Sequence, residues 1–199
     1  MGHYYSKNPD VESNESIIEY HLAPMSLILS TDNGVFSKGD IDFGSKVLVK
    51  AFLDDQHEVK SLLDVGCGYG TIGLMIKKHL PTINLHMVDV NERAMALAKK
   101  NAIQNGISDV KVYESDTLEQ VTESFDAIVT NPPIRAGKEV VHRILENSIH
   151  HLNVGGAIYV VIQKKQGMPS AKKKLEAVFG NVEVIAKDKG YFILKSIKG

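Results

Sequence analysis

From Val59 onward, short apolar runs alternate with longer segments of helical spacing, and this alternation restricts the possible folds more than any other feature of the chain. Residues 61–65, 84–90, 110–113, 125–130 and 157–162 read as strands. Between them, helices are expected at about 71–80, stopped by Pro81, and at 92–105, with Asn91 as cap and Gly106 beyond the end. Further helices are expected at 138–152, closed by Asn153 and Gly155–Gly156, and at 169–179, opened by Pro169. Such alternation calls for a mostly parallel sheet with both faces covered. The last two runs, 182–186 and 191–195, have only K-D-K-G between them, so they should pair antiparallel. Upstream, 27–29 suits a short strand, 31–37 is turn-rich, and Asp42 can cap a helix running to about Leu53. No repeat, low-complexity tract or linker divides the 199 residues, so one domain over 1–199 is expected, with 1–40 as an N-terminal extension packing over the ligand site.

The first of these βα connections reads D-V-G-C-G-Y-G-T-I-G, from Asp64 to Gly73. Glycine at 66, 68 and 70 permits a tight turn and close approach of a ligand to the backbone. The helix that follows aims its free N–H groups at the same place. Asp89 ends the next strand, where a carboxylate can accept from the hydroxyls of a ribose. Gly68, Gly70 and Gly73 also satisfy the dinucleotide fingerprint, so an NAD(P)-dependent oxidoreductase is a competing reading. Asp64 favours a different cofactor, because a carboxylate beside the glycines repels a pyrophosphate and suits the cationic amino acid end of S-adenosylmethionine.

The run 125–130 ends in N-P-P-I-R, Asn131 to Arg135. Prolines cannot donate to a sheet or continue a helix, so they stop the chain on the ligand-binding rim. There the Asn131 side-chain oxygen and the Pro132 carbonyl can accept both hydrogens of a substrate amino group and free its lone pair for attack. The rigid pair Pro132–Pro133 holds these acceptors in advance. The chemistry requires neither a metal nor a nucleophilic side chain.

D-V-G-C-G-Y-G together with N-P-P resembles the class I S-adenosylmethionine-dependent methyltransferases of the amino-group type. With T-D-N-G-V-F-S, Thr31 to Ser37, it resembles more narrowly the small-subunit ribosomal RNA guanine-N2 methyltransferase C family. The resemblance covers the chain from about Asp32 to its end. It implies a Rossmann-like seven-stranded sheet with helices on both faces. Cofactor contacts are implied for Asp64, Gly66, Gly68 and Gly70 at the amino acid end, Asp89 at the ribose and Asp116 at the adenine. Val35, Phe36 and Ser37 are expected to lie over the cofactor, and Asn131, Pro132, Pro133 and Ile134 to hold the target amino group. Many members carry an aromatic residue and then histidine where this chain has Ile134 and Arg135. An adenine-N6 or protein glutamine-N5 target is the rival within the same chemistry, but those enzymes usually carry an aromatic at the place of Ile134, which weighs against it, and Arg135 is a candidate contact to a guanine edge or a phosphate. A non-catalytic module that docks on the ribosome is the rival outside it. Ribosomal RNA or the small ribosomal subunit is the expected partner.

With a net charge of −1, attraction to nucleic acid must be local. Lys164, Lys165 and Lys172–Lys174 form the one basic cluster, read either as a solvated helix face or as a phosphate contact. Cys67 is the single cysteine, which excludes an intrachain disulfide and fits a reducing compartment. It is expected to fill the turn, and Asp126 to be structural. The N-terminus lacks the apolar core of a secretion signal and no run suits a membrane span, so a cytoplasmic protein is expected. His142, His150 and His151 fall on one expected helix without convergent carboxylates, and no metal site is expected.

Overall fold

The computed structural model describes residues 5–55 and 58–199; the first four residues of the expected extension lie outside them. A seven-stranded sheet runs in the order β5-β4-β3-β6-β7-β9-β8, with a separate two-stranded sheet, β1-β2, ahead of it. The strands are β1 Ser16–Leu22, β2 Met25–Thr31, β3 Ser61–Val65, β4 Asn84–Asp89, β5 Val110–Glu114, β6 Phe125–Thr130, β7 Leu152–Gln163, β8 Glu183–Asp188 and β9 Tyr191–Ile197. The α-helices among the described residues are α1 Phe43–Asp54, α2 Thr71–His79, α3 Glu92–Gln104, α4 Lys138–Asn147 and α5 Met168–Phe179. β3 to β7 pair in parallel, while β9 is antiparallel to both β7 and β8. This is the mostly parallel sheet expected from the alternation, and the Rossmann-like seven-stranded architecture that the resemblance implies.

The central strands are apolar on both faces because both are covered. Leu62, Ala127 and Val129 face a core shared with α1, α2 and α3. Leu63, Val65, Phe125 and Ile128 face a second core shared with α4 and α5. Each fully buried Leu, Ile, Val or Phe side chain among them contributes about 1.5–3 kcal/mol. Since β3, β4, β5 and β6 are parallel, their carboxyl ends share one rim, and the glycine loop, Asp89, Asp116 and the Asn131–Pro133 turn all lie at it, while Val35–Ser37 reach it from the loop after β2.

Three local expectations change. The short strand at 27–29 is one arm of the hairpin β1-β2, whose first arm, S-I-I-E-Y-H-L, alternates exposed and covered positions. The outer edge of β2 is closed by amide side chains of α3 and of the residue that follows it. Asn101 Oδ1 accepts from Ser30 N–H at 2.7 Å and its Nδ2 donates to Ser30 O at 3.0 Å, while Gln104 and Asn105 donate to Ile28 O. The helix expected over 138–152 stops at Asn147; Ser148–His151 forms a 3-10 turn, so His150 and His151 do not lie on α4 with His142. β7 then begins at Leu152, not at Ala157. Asn153, Gly155 and Gly156 lie inside the strand, where Gly155 N–H and Lys198 N–H bond to the carbonyls of Lys198 and Gly156. Gly156 is required there because a Cβ would meet the carbonyl oxygens of Asp126, Asn153 and Phe125 at 2.8–3.1 Å.

Candidate functional site

At the carboxyl rim, a cleft of about 890 Å³, open mouth included, lies over the ends of β3, β4 and β6. Gly66, Cys67 and Gly68 form its floor, Asp89 and Asn91 one side, Asn131, Pro132 and Pro133 the other, and Phe36 and Ser37 the cover. The glycine loop begins by extending the sheet, with Gly66 N–H and Cys67 N–H both donating to Val88 O at 2.9 Å. Gly66 and Gly68 have φ of 71° and 54°. A Cβ on either would meet nothing within 4 Å, so their missing side chains are part of the cleft's space. Gly70, with φ 102°, begins α2 without a side-chain cap, leaving the helix N-terminus to face the cleft beside Thr71 and Ile72.

Asp89 is positioned by the loop it serves. Its Oδ2 accepts Gly68 N–H at 2.8 Å and its Oδ1 accepts Asn91 N–H at 2.9 Å. Burial raises its pKa, and the hydrogen bonds from the Asn91, Gly68 and Val90 amides oppose that rise. A carboxylate offers about four acceptor sites, so the three amides leave capacity for a further donor.

Asp64 occupies a different place from the cleft wall. Its side chain is fully buried beneath α2, with Oδ2 accepting Gly73 N–H at 2.9 Å and Oδ1 without a partner among the described residues. Burial pushes its pKa up to about 7; the Gly73 amide opposes the shift and the Asp89 charge adds to it. The carboxyl thus braces the start of α2 from below. Cys67 does line the cleft, but burial raises its thiol pKa well above the ordinary value, which keeps it a neutral filler.

Asp116 is likewise turned aside. Its Oδ1 accepts from Tyr5 Oη at 3.2 Å and from the Arg143 guanidinium at 3.2 Å, while its neighbours Ser115 and Thr117 line the cleft. Tyr5 lines the cleft as well, and burial followed by the Asp116 charge raises its pKa to about 12. Phe36 is half-exposed at the mouth, whereas Val35 is buried beneath the cover. The cover is held by Tyr69 Oη donating to Ser37 O at 2.9 Å and by Asn91 Nδ2 donating to Gly34 O at 2.8 Å. Gly34, at φ 77°, leaves room for Pro9, whose ring a Cβ would meet at 2.5 Å.

Asn131 sits where β6 ends, and Thr130 Oγ1 ties that strand end to β3 through Val65 O at 2.9 Å. The Asn131 amide nitrogen donates to Asp42 Oδ2 at 2.9 Å and to Ser45 Oγ at 3.1 Å. A carboxylate accepts and cannot donate, so this pairing settles which end of the amide is nitrogen and leaves the Asn131 oxygen for another donor. Asp42 performs two tasks with one oxygen, because the same Oδ2 also accepts Ser45 N–H at 2.9 Å as the cap of α1. Pro133 O accepts Ala136 N–H at 2.9 Å and closes the 3-10 turn Ile134–Ala136. No described residue donates to the Pro132 carbonyl. Ile134 turns away from the cleft to pack on the α4–α5 core, and Arg135 is exposed beside it.

The sequence motifs therefore converge: Gly66, Gly68, Asp89, Phe36, Ser37, Asn131, Pro132 and Pro133 share one cavity. Asp64, Gly70, Asp116, Ile134 and Arg135 are not on its wall. Sequence reasoning missed Tyr5, Tyr69 and Ser45, and took Asp42 for a cap alone. Among the described residues there is no group of three side chains suited to a metal ion, and no helix is long and apolar enough to cross a membrane.

The methyltransferase small domain family model matches residues 26–195. The Bacillus subtilis protein YbxB, described as uncharacterized, is 49% identical over 198 residues, 98% of each chain. Ribosomal RNA small subunit methyltransferase C of Escherichia coli is 30% identical over 195 residues, covering 96% of this chain and 54% of that protein. The chain thus spans about half the length of the ribosomal RNA methyltransferases it matches. Among solved structures, the T. thermophilus 16S rRNA N2 methyltransferase RsmC, in complex with AdoMet and guanosine, superimposes with a TM-score of 0.84 at 23% identity, over 96% of this chain and 52% of that one. A ribosomal protein L11 methylase from Lactobacillus delbrueckii superimposes with a TM-score of 0.67 at 20% identity, over 78% and 79% of the two chains. The two neighbours act on RNA and on protein, so the shared fold does not select the substrate.

Proposed function

This chain belongs to the methyltransferase small domain family, and from that premise we propose that it methylates an exocyclic amino group, most specifically guanine N2 of small-subunit ribosomal RNA, with S-adenosylmethionine as donor. The observation that carries the proposal is the Asn131 amide, fixed by Asp42 and Ser45 on the wall of the cavity that the glycine loop opens.

The residues present fit the cofactor. Gly66 and Gly68 leave open space over the floor, as a close-lying amino acid moiety needs. Asp89 retains acceptor capacity for ribose hydroxyls, and Ser115, Thr117 and Tyr5 bound the end assigned to the base. Asp116 would act there through Tyr5 and Arg143, and Asp64 through the loop it braces. When bound, S-adenosylmethionine supplies a methyl group activated by its sulfonium, which keeps the bonding electron pair as the methyl departs.

Asn131 Oδ1 and the Pro132 carbonyl would accept the two N–H groups of the substrate amine. This turns the nitrogen lone pair out of conjugation with the base and towards the methyl carbon. Asp42 and Ser45 keep the amide from rotating, so the acceptors need no rearrangement during reaction. The methylated nitrogen then loses its extra proton to solvent. No aromatic ring follows the prolines, and this favours a guanine over a stacked adenine-N6 target.

The test has two parts. S-adenosylhomocysteine at ~100 times its Kd should stabilise the protein by about 2.7 kcal/mol, a Tm rise of about 5–10 °C, while NAD should not. Asn131→Ala should keep that shift and lose turnover by about 100-fold or more on small subunits from cells lacking the protein. Stabilisation by NAD alone, or full turnover in Asn131→Ala, would reject the proposal.

A further inference from the structure

A second cavity of about 600 Å³, open mouth included, lies on the side of Ile134 away from the cofactor cleft. β6 and β7 are paired neighbours, and each runs into a 3-10 turn at the carboxyl rim: Ile134–Ala136 after β6 and Lys164–Gln166 after β7. The cavity opens between these turns and the starts of α4 and α5. Ile134 and Ile162 give it apolar walls. His142, Ser170, Gln166 and Lys138 add polar groups, and Ser170 Oγ lies 3.1 Å from His142 Nε2. Burial, reinforced by Lys138 and Lys174, lowers the His142 pKa, so the ring is neutral near pH 7 and can hydrogen-bond without adding charge.

The two turns that frame this slot also carry exposed cations. Arg135 follows Ile134, and Lys164 and Lys165 precede Gln166. Lys164 N–H donates to Gly190 O at 3.0 Å, which brings the β8-β9 turn, with Lys187 and Lys189, alongside. Glu139 and Asp188 are the carboxylates on the same segments. The basic cluster of the sequence thereby divides. Lys174 is spent in an ion pair with Glu146, whereas Arg135, Lys138, Lys164 and Lys165 form no ion pair among the described residues. An apolar-walled slot bordered by cations that form no ion pair among the described residues suits a nucleotide, which joins the apolar face of a base to an anionic phosphate.

We infer that this slot binds a second, unstacked base of the RNA strand, next to the nucleotide being methylated, while Arg135, Lys138, Lys164 and Lys165 hold the flanking phosphates. The inference rests on RNA being the substrate. It gives Ile134, which the cofactor cleft leaves out, a role as a wall of the neighbouring slot. It also explains how a chain with a net charge of −1 can grip a polyanion, since the positive groups gather at the rim where the strand must enter.

The experiment measures binding of a short fluorescein-labelled single-stranded RNA and of the same strand with abasic riboses, across a salt series. The intact protein, Ser170→Phe, and the double variant Lys164→Ala/Lys165→Ala are compared. The intact protein should prefer the strand with bases by about tenfold. Ser170→Phe, which fills the slot, should erase that preference and keep the salt dependence. The lysine variant should keep the preference but flatten the log–log salt slope by about 1 to 1.5 for both strands. Both variants should bind S-adenosylhomocysteine as the intact protein does, which shows that they fold. A base preference surviving in Ser170→Phe, an unchanged slope in the lysine variant, or no RNA binding by a protein that still binds S-adenosylhomocysteine would overturn the inference. Absent methyl transfer to ribosomal subunits alongside base-dependent binding would instead count against the proposed reaction and leave the slot standing.

Discussion

Replacing Asp42 by alanine removes an oxygen that accepts from Ser45 N–H and Asn131 Nδ2, each at 2.9 Å, and more weakly from Ser45 Oγ at 3.3 Å. Losing the cap costs about 1 kcal/mol. Losing the hydrogen bond from Asn131 to a charged acceptor costs about 1–2 kcal/mol more, because Ser45 Oγ remains as a weaker partner. At about 2–4 °C per kcal/mol for a chain of this size, Tm should fall by about 5–10 °C. The amide of Asn131 would then turn freely, and its oxygen would spend less time aimed at the substrate. A loss of about 10- to 100-fold in kcat is expected, with little change in S-adenosylhomocysteine affinity. Asp42→Asn separates the causes, since its amide oxygen can take both donors while the charge is gone, and it should restore most of both properties. Thermal unfolding and single-turnover methyl transfer measure them. Full kcat in Asp42→Ala would refute the positioning argument; an Asp42→Asn variant as impaired as Asp42→Ala would show that charge, not acceptor geometry, is what matters.

Gly68→Ala should cost about 1 kcal/mol through its positive φ, yet reduce S-adenosylhomocysteine affinity by more than about tenfold, because its new methyl projects into open cleft; calorimetric titration decides. Gly156→Ala should destabilise by about 2 kcal/mol or more without touching the cofactor, since three carbonyl oxygens surround the added carbon, and this reads out as a lowered midpoint in urea. The Asp64 pKa is raised in the fold from 3.8 to about 7, so the folded state binds the extra proton. Its contribution to stability is full below about pH 4 and is lost as pH rises through about 7. Asp64→Asn should accordingly show a flatter stability profile across that window than the unaltered chain, and parallel profiles would contradict the assignment.

What could be read from the sequence was what local spacing controls. The glycines, Asp89 and the Asn-Pro-Pro turn each follow a strand end, and parallel strands carry all such ends to one rim, so convergence followed from the topology alone. Partners far apart in the chain were hidden. Asp42 and Asn131 are separated by 89 positions, and nothing near Asp42 distinguishes a cap with one donor from a cap with two. Tyr5 reaches Asp116 across 111 positions for the same reason. Gly155–Gly156 looked like a helix stop because glycine is the usual residue there; the actual cause, carbonyls crowding Gly156, arises only once β7 lies beside β6. Asp64 was expected at the ligand because it borders the glycines, but strand alternation turns its side chain under α2, and its influence passes through Gly73.

Asn101 has a consequence for how freely this molecule can vary. All of its amide capacity is used: it exchanges hydrogen bonds with Ser30, donates to Tyr69 O at 2.8 Å and accepts from Gln104 Nε2 at 2.8 Å, so hairpin, helix and glycine loop meet at one carboxamide. Its grip on the hairpin is through main-chain atoms, which are the same whatever residue occupies the strand. Mutational drift in the hairpin's exposed positions should therefore be cheap, while Asn101 itself tolerates no replacement, not even by aspartate, which lacks the donors.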